Sequence, residues 1–278
     1  MQQKTMTMDS TKKKLHKVFL IAGSEPLGTS GIQADIKAVS ACGGYAAGAV
    51  TCIVDEDTTQ VKDICMVSVE MVQAQSASFL EDVGADCIKT GMLYTKDMVQ
   101  AVAGIICKYA DIPSVIDPVM VSSAGDQLLE DESVQFYKDC LFPHATIITP
   151  NCREAEVLLG RKVDIHSIRN DLKELSQWGN AVIVKSIPEN DYLSDCFYNP
   201  TTDEFKVYSK RIIDTKNVNG TGDSFASAIA TYLAKGYQLV EAIDEAEKFI
   251  DNAIYYGAQF KFGTGYGPVY PFYKEYMP

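Results

Sequence analysis

The chain has 278 residues, of which 46% are hydrophobic and 22% are charged, so it is long enough for one α/β domain with a full-sized core and too short for two. Its formal net charge of -12 argues against nucleic acid or an anionic membrane surface as a partner, because both repel an acidic protein. An anionic substrate would need a local cluster of amides or cations.

The N-terminal segment, residues 1–14, is polar and rich in lysine. It lacks the apolar core and cleavage site of a secretory signal peptide, so we predict a disordered polar tail followed by a single domain over 15–278. The chain contains no run of about 18 apolar residues, and no membrane span is expected. These features predict a cytoplasmic protein.

Short β-branched runs alternate along the chain with amphipathic stretches of helical length. The predicted strands are 17–21, 47–54, 87–90, 114–116, 146–148 and 181–184. The predicted helices are 31–41, 68–82, 96–109, 132–141, 152–159, 165–177, 222–235 and 239–256. This alternation is typical of a doubly wound α/β sheet with mostly parallel strands. An antiparallel hairpin over 195–208 is expected at the sheet edge, because a turn containing proline separates two strand-like runs.

The first motif with chemical meaning is Asn219-Gly220-Thr221-Gly222-Asp223, at the start of a predicted helix. Glycines at a helix start let backbone N–H groups converge on an anion, and the helix dipole adds partial positive charge there. Asp223 would sit in the first helical turn, where a carboxylate can accept the proton of an attacking hydroxyl group. A plain N-terminal helix cap is the alternative interpretation.

A second motif is the glycine-rich turn over 23–35, which follows the first predicted strand and opens a helix. It lacks the G-K-[ST] ending of a P-loop and the G-x-G-x-x-G spacing of a dinucleotide site. Asp35 falls on the helix among small residues, where it can accept a hydrogen bond from a substrate. The alternative is an ordinary exposed aspartate on the helix surface.

The third motif, T-P-N-C-R-E at 149–154, directly follows another predicted strand. Asn151 and Glu154 are one helical turn apart, so their oxygens can face one point, as a hydrated Mg²⁺ requires. An ordinary helix start would also place Asn at the cap and Glu three residues later. Three further candidate site residues lie at or just after other predicted strands: Met92, Asp117 and Lys185.

The eight cysteines are scattered without a C-x-x-C pair, and the three histidines lie far apart. We therefore predict reduced, buried thiols and no zinc site.

Six motifs in order make the chain resemble the hydroxymethylpyrimidine kinase and pyridoxal kinase branch of the ribokinase superfamily, from about Lys17 to Phe272. They are A-G-S-x-P-x-G-x-S-G-I-Q-A-D at 22–35, K-x-G-M-L at 89–93, D-P-V-M at 117–120, I-T-P-N-x-x-E-A-E at 148–156, D-T-K-N-x-x-G-T-G at 214–222 and G-x-G-P-V at 265–269. The resemblance implies a ribokinase-like three-layer α/β fold with a mostly parallel central sheet. It also implies transfer of the γ-phosphoryl group of ATP, with Mg²⁺, to a hydroxymethyl group on a small heteroaromatic ring.

The resemblance also implies roles for particular residues. By this resemblance, Asp223 stands at the position of the family's catalytic base. Gly220, Thr221 and Gly222 stand at the positions of its anion hole. The remaining implied roles are a shell for Mg²⁺ and phosphate (Asn151, Glu154 and Asp117), nucleotide contacts (Lys185 and Thr221, with Asn151 and Glu154) and substrate contacts (Asp35, Glu56, Met92 and Gly23). A monovalent cation is a further candidate cofactor, and a homodimer is expected.

Three positions depart from the family pattern. Asp223 stands where hydroxymethylpyrimidine kinases usually have Cys, whereas pyridoxal kinases of the other main type have Asp. Glu56 stands where the pyrimidine enzymes typically have the Gln of A-Q-N-T. Ser186-Ile187-Pro188 replaces the usual Gly-Gly-His after the strand lysine, which puts the local nucleotide loop in doubt.

These departures bear on the substrate. An ionised Glu56 can only accept hydrogen bonds. Against an aminopyrimidine it would face the lone pair of a ring nitrogen, which is also an acceptor, so no hydrogen bond could form. The phenolic O–H or pyridinium N–H of a B6 ring is a donor and suits the carboxylate. We therefore predict a pyridoxal-type kinase, with hydroxymethylpyrimidine kinase as the alternative. A sugar kinase is disfavoured because Met92 and Met120 predict an apolar pocket. A non-catalytic ligand-binding relative is disfavoured because the chain keeps both the candidate base and the residues of the Mg²⁺ shell.

Overall fold

The computed structural model describes residues 14–120, 129 and 133–277. Its strands are β1 (Lys17–Ser24), β2 (Tyr45–Glu56), β3 (Val61–Met66), β4 (Cys87–Thr90), β5 (Ser114–Ile116), β6 (Ile147–Ile148), β7 (Ala181–Glu189), β8 (Tyr192–Asn199) and β9 (Glu204–Arg211). Its helices are α1 (Gly31–Ala41), α2 (Val69–Asp82), α3 (Lys96–Lys108), α4 (Ser133–Phe136), α5 (Cys152–Leu159), α6 (Ile168–Leu175), α7 (Thr221–Ala234) and α8 (Leu239–Gly257). A π-helical turn (Tyr137–Leu141) and a 3-10 turn (Phe142–His144) continue α4, and a last 3-10 turn spans Tyr273–Tyr276.

All nine strands form one sheet in the order β3-β2-β1-β4-β5-β6-β7-β8-β9. The six strands from β2 to β7 in this order run parallel, and β3, β8 and β9 pair antiparallel with their neighbours. The predicted mostly parallel sheet is therefore confirmed. The predicted hairpin at 195–208 is β8–β9, which begins three residues earlier and ends three residues later.

The strand β3 was not predicted, and it gives the sheet a second antiparallel edge beside β2. Its sequence, V-K-D-I-C-M, is half-buried or exposed at every position, so it lacks the continuous apolar run that identified the parallel strands. The prediction for β7 ended too early, because the strand continues past Val184 to Glu189. The first residue of the predicted helix 132–141 lies outside the described residues.

Helices cover both faces of the sheet, because side chains alternate along each strand and both faces are apolar. One core cluster joins the sheet to α2, α3, α5 and α6, and the other joins it to α1, α7 and α8. The result is three layers, as the predicted fold class requires. None of the described helices is long and apolar enough to cross a membrane.

The prediction of buried thiols is correct for four of the eight cysteines and wrong for two. All eight cysteines are free thiols, and Cys42, Cys52, Cys87 and Cys196 are buried, whereas Cys65 and Cys107 are exposed. Of the predicted N-terminal tail, 1–13 lie outside the described residues. Lys14 forms an ion pair with Asp86 at 3.1 Å.

Candidate active site

A cavity of about 550 Å³ lies where the parallel strands end at their carboxyl termini, the edge at which open α/β sheets bind their ligands. Of the twelve predicted site residues, eleven line this cavity: Gly23, Glu56, Met92, Asp117, Asn151, Glu154, Lys185, Gly220, Thr221, Gly222 and Asp223. The exception is Asp35. The sheet topology thus brings together motifs that are up to 200 residues apart in the chain.

The first turn of α7 forms the middle of the cavity wall. Gly220 precedes the helix with φ +73°, and a Cβ atom there would lie 2.0 Å from the carbonyl oxygen of Thr29. Only glycine fits this close approach, because the left-handed conformation and the neighbouring backbone both exclude a side chain. The N–H groups of a first helical turn have no intrahelical partner and carry the positive end of the helix dipole. Here the Thr221 N–H donates to the Val218 carbonyl over 3.2 Å, so the Gly222 and Asp223 N–H groups are the ones that can meet a ligand. The position therefore suits an anion.

The loop that packs against Gly220 is fixed by Glu25, which the sequence analysis did not single out. The Glu25 carboxylate is buried and accepts hydrogen bonds from the backbone N–H groups of all four residues 27–30. Asn219 Nδ2 in turn donates to Thr29 Oγ1 over 3.1 Å. An acidic residue just before a glycine-rich turn, where many N–H groups need acceptors, was the available sequence signal.

Asp223, the predicted base, lies on the first turn of α7 beside a buried lysine. Lys89 Nζ, at the end of β4, is 3.4 Å from Asp223 Oδ1 and donates to Asp35 Oδ1 over 2.7 Å. Ser227 Oγ also donates to Asp35 Oδ1, over 2.7 Å. Asp35 is 0% exposed, which corrects the prediction of a direct substrate contact: its carboxylate is used to pair Lys89 behind the cavity wall.

The protonation of this buried group follows from its neighbours. Burial raises the pKa of Asp35 to about 7, with Lys89 opposing the rise and Asp223 adding to it. Burial alone would lower the pKa of Lys89, but the negative charges of Asp35, Asp223 and Asp117 outweigh it and raise that pKa. Lys89 is therefore a permanent cation behind Asp223.

A second buried ion pair lies beside Gly222, in the first turn of α7. Lys185 Nζ, from β7, donates to Asp117 Oδ1 over 2.8 Å, and Thr149 Oγ1 donates to the same oxygen over 2.8 Å. A Cβ atom on Gly222 would lie 3.1 Å from Lys185 Nζ, so the ammonium group is adjacent to the first-turn amides. Although burial opposes it, Lys185 and Lys89 hold the pKa of Asp117 below its usual range.

Asn151 and Glu154 form a complete capping box at the start of α5. The Asn151 side chain accepts from the Glu154 N–H over 3.0 Å, and Glu154 accepts from the N–H groups of Asn151 (2.8 Å) and Met120 (3.2 Å). The capping interpretation of this pair is thus confirmed. Burial, together with the charge of Asp117, raises the pKa of Glu154 to about 8.

The donor set fits Mg²⁺ only as an ion held largely by phosphate and water. No group of three or more His, Cys, Asp or Glu side chains that could hold a metal occurs among the described residues. Asp117 and Glu154 nevertheless place two carboxylates at the cavity, and the charge of Asp117 adds to burial in raising the pKa of Glu154. A hydrated divalent cation bridging nucleotide phosphates is compatible with this arrangement.

The end of the cavity near β2 is apolar. Met92 packs in a buried cluster with Cys52 and Val54, and Val119 lies against it. A Cβ atom on Gly23 would come within 2.9 Å of Cys52 Sγ, so the absence of a side chain there leaves the floor open. Glu56, the last residue of β2, also lines the cavity. The arrangement suits a flat ring of low polarity with a carboxylate at one edge.

The turn between β2 and β3 is attached to a distant segment near the C-terminus. The Thr58 carbonyl accepts from the Tyr266 N–H over 2.7 Å, and Thr58 Oγ1 accepts from the Gly265 N–H over 3.0 Å. One residue further, the Gly267 carbonyl accepts from the Asn219 N–H over 2.9 Å. The turn beside Glu56 and the loop before α7 are therefore tied to the same short segment, 265–267.

The opposite end of the cavity combines charged side chains from β7–β9 with aliphatic side chains. Ile250 and Ile254 of α8 and Leu193 of β8 supply the aliphatic surface, and Asp195 and Lys210 line the same region. None of these five residues was predicted from the sequence, because the hairpin signal gave no indication of which side chains face the cavity.

Known proteins with similar sequence and structure bear on this site. A family model for phosphomethylpyrimidine kinase matches residues 25–270. The hydroxymethylpyrimidine/phosphomethylpyrimidine kinase of Staphylococcus aureus is 35% identical over 254 residues, which are 90% of this chain and 91% of that protein. A probable thiamine biosynthetic bifunctional enzyme of Oryza sativa is 36% identical over 267 residues, and the matched region is 94% of this chain but only 48% of that longer protein. Bacillus subtilis pyridoxal kinase, solved as an ADP complex, has a TM-score of 0.86 at 31% identity and covers 94% of this chain and 99% of its own.

Proposed function

This chain belongs to the phosphomethylpyrimidine kinase family, and on that premise we propose that it phosphorylates the hydroxymethyl group of a small heteroaromatic ring with ATP. Hydroxymethylpyrimidine is the first candidate ring. A B6 vitamer is the second.

The observation that carries this proposal is the place of Asp223. It lies on the first turn of α7, in a cavity with an apolar end at Met92 and with Lys185 beside Gly222. A ring at the apolar end and a triphosphate at the α7 start would bring the acceptor hydroxyl and the γ-phosphoryl group together beside the Asp223 carboxylate. A carboxylate in this position can take the hydroxyl proton as the oxygen attacks phosphorus and ADP leaves.

The other residues of the cavity would act by charge and position. The first-turn amides of α7 and the Lys185 ammonium can stabilise the charge that develops on the transferring phosphoryl group. Lys89 holds Asp223 in place from behind, through contact with its Oδ1 atom. Mg²⁺, when bound with the nucleotide, would neutralise phosphate charge, and Asp117, Asn151 and Glu154 are the residues that would hold its water shell.

The choice of ring depends on two opposing observations. The curated relative from Staphylococcus aureus that matches over nine-tenths of its length is named for hydroxymethylpyrimidine, which is why the pyrimidine ring comes first. The sequence-based preference for a B6 ring rests on Glu56, which lines the cavity, and on Asp rather than Cys at position 223. These two residues keep the B6 vitamers as the second candidate.

The test is ATP turnover with hydroxymethylpyrimidine, its monophosphate, pyridoxal, pyridoxine and pyridoxamine, measured side by side with product identification by mass spectrometry. We expect phosphorylation of hydroxymethylpyrimidine with the highest kcat/KM. A higher kcat/KM for any B6 vitamer would reverse the order of the two candidates. If none of the five acceptors is phosphorylated, the proposed function is wrong.

A further inference from the structure

The strand β7 is irregular at the point where it enters the cavity. Val184 and Ile187 pack in the same core cluster although they are three residues apart, whereas side chains of a regular strand return to the same face every two residues. The ladder to β8 shifts between these two residues, with Val184 opposite Cys196 and Ile187 opposite Ser194. Lys185 and Ser186 therefore share one partner, Asp195, and form a β-bulge.

The backbone of the bulge is in an unusual conformation. Ser186 has φ +59°, a left-handed value that costs free energy in residues other than glycine and persists only where neighbouring groups hold it. The Ser186 N–H donates to Asp195 Oδ1 over 2.6 Å. Asp195 is only 7% exposed, so little water competes for this bond. In the family pattern Gly-Gly-His, a glycine at this position would adopt the left-handed conformation without strain. This chain has serine instead, so another residue must hold the backbone in that conformation.

The other carboxylate oxygen of Asp195 is held by Lys210. Lys210 Nζ lies 3.4 Å from Asp195 Oδ2, and it also contacts the carboxylates of Glu247 and Asp251 on α8. Burial alone would lower the pKa of Lys210, but the three carboxylates outweigh it and raise that pKa, so the lysine stays charged. Asp195 is thereby fixed at both oxygens, one on the bulge and one on Lys210.

The direction of Lys185 depends on this bulge. Its N–H donates to the Pro150 carbonyl over 2.9 Å, and its ammonium lies between Asp117 and the first turn of α7. Relaxation of Ser186 into the ordinary β region would return β7 to regular alternation and turn the residues around 185 relative to α7. A lysine that must meet a transferring phosphoryl group tolerates little displacement, because about 1 Å of misplacement can cost on the order of a hundredfold in rate.

We propose that Asp195 is a positioning residue: by holding the Ser186 backbone in its left-handed conformation, it directs the Lys185 ammonium to the phosphate end of the cavity. The inference rests on the proposed kinase function for its kinetic consequences only. The hydrogen bond itself can be tested in the unliganded protein.

The kinetic test compares Asp195→Ala with two double variants, Asp195→Ala/Ser186→Gly and Asp195→Ala/Ser186→Ala. We expect Asp195→Ala to lower kcat/KM for ATP about tenfold or more while the KM for the ring substrate stays within about twofold of the parent. Glycine at 186 should restore most of the loss, because it adopts positive φ without strain. Alanine at 186 should restore none, because it removes the hydroxyl as glycine does but keeps the Cβ atom.

Several outcomes would overturn the proposal. The first is a kcat/KM for ATP in Asp195→Ala within about twofold of the parent value. The second is equal recovery with alanine and with glycine at position 186. The third is an equal loss of kcat/KM for ATP and for the ring substrate. Asp251→Asn is the control, since Asp251 contacts Lys210 but not the bulge, and we expect unchanged kinetics. If Asp195→Ala does not fold, Asp195→Val, which fills the space with a side chain that has no acceptor for the Ser186 N–H, is compared with and without Ser186→Gly on the same criteria.

Hydrogen exchange separates this inference from the function on which it rests. The Ser186 amide should exchange slowly in the unliganded parent and quickly in Asp195→Ala, whether or not the protein phosphorylates any acceptor. Fast exchange in the parent would contradict the restraint even if the enzyme is fully active. If the Ser186 amide exchanges slowly but the parent phosphorylates none of the five acceptors, the hydrogen bond to Asp195 is supported and the proposed kinase function is wrong.

Discussion

Lys89 lies 3.4 Å from Asp223 Oδ1 and 2.7 Å from Asp35 Oδ1, with no solvent-exposed surface of its own side chain. One buried cation thus balances two carboxylates, of which only Asp223 lines the cavity. The pair Lys89–Asp35 forms a charged support behind the candidate base. The lysine of the K-x-G-M-L motif and Asp35 of α1 are 54 residues apart in the chain, and this ion pair gives them one shared structural role.

We predict that Lys89→Met destabilises the protein by about 3–5 kcal/mol, because it leaves the buried Asp35 carboxylate, and the partly exposed Asp223 carboxylate beside it, without a counter-charge. Urea unfolding followed by circular dichroism would measure the loss. Lys89→Met/Asp35→Asn should recover part of it, since one of the two uncompensated charges is removed. A single variant as stable as the parent would show that the carboxylates are not held as ions by Lys89.

Asp223→Asn should fold as stably as the parent but lose about 10²–10⁴-fold in kcat, because the amide keeps the shape of the side chain and cannot take the hydroxyl proton. Steady-state kinetics at saturating ATP and acceptor would measure this. Thermal unfolding of the same preparation provides the control for folding. A variant with kcat within about threefold of the parent would remove Asp223 from the role of base.

Asn151 offers a way to separate helix capping from nucleotide binding. Asn151→Ala removes both the cap and the amide, and we expect about 1 kcal/mol less stability together with weaker use of Mg-ATP. Asn151→Ser keeps a capping oxygen, so it should regain the stability but not the ATP affinity. The KM for the ring should stay unchanged in both variants. Normal ATP kinetics in Asn151→Ser would mean that the residue acts only as a cap.

Glu56→Gln tests the assignment of the ring. If Glu56 contacts the bound ring, the amide should shift preference away from B6 vitamers and toward hydroxymethylpyrimidine, because it adds an N–H donor and removes a negative charge. A mismatched buried polar contact costs about 1–3 kcal/mol, so the ratio of the two kcat/KM values should move roughly tenfold to a hundredfold. An unchanged ratio would exclude the contact and remove the main reason for considering a B6 ring.

The central parallel strands could be predicted because they are buried on both faces and therefore consist mostly of apolar residues. The strands 87–90 and 114–116 match β4 and β5 residue for residue. The edge strand β3 could not be found in this way, since V-K-D-I-C-M has no apolar run and its pairing with β2 depends on tertiary contacts.

The position of a side chain at the cavity could be predicted where a motif directly follows a parallel strand, as for Asp117 after β5. It was not predictable where burial decides the role. Asp35 has the same motif position whether it faces a ligand or a lysine, and only the structure shows Lys89 beside it. The role of Asp195 could not be predicted either, because it depends on a strand register that no local pattern in the chain reveals.

The attachment of Thr58 to the segment 265–267 has a consequence for which changes the chain tolerates. Surface turns usually accept insertions, but a longer turn between β2 and β3 would pull on a segment that also holds Asn219 next to the α7 start. A Cβ atom on Gly265 would lie 1.9 Å from the Thr58 carbonyl oxygen, so even alanine at that position would push the turn away. Sequence changes at the end of the cavity near β2 are thereby constrained by the start of α7, and a change in the turn beside Thr58 is expected to require a matching change in the segment 265–267.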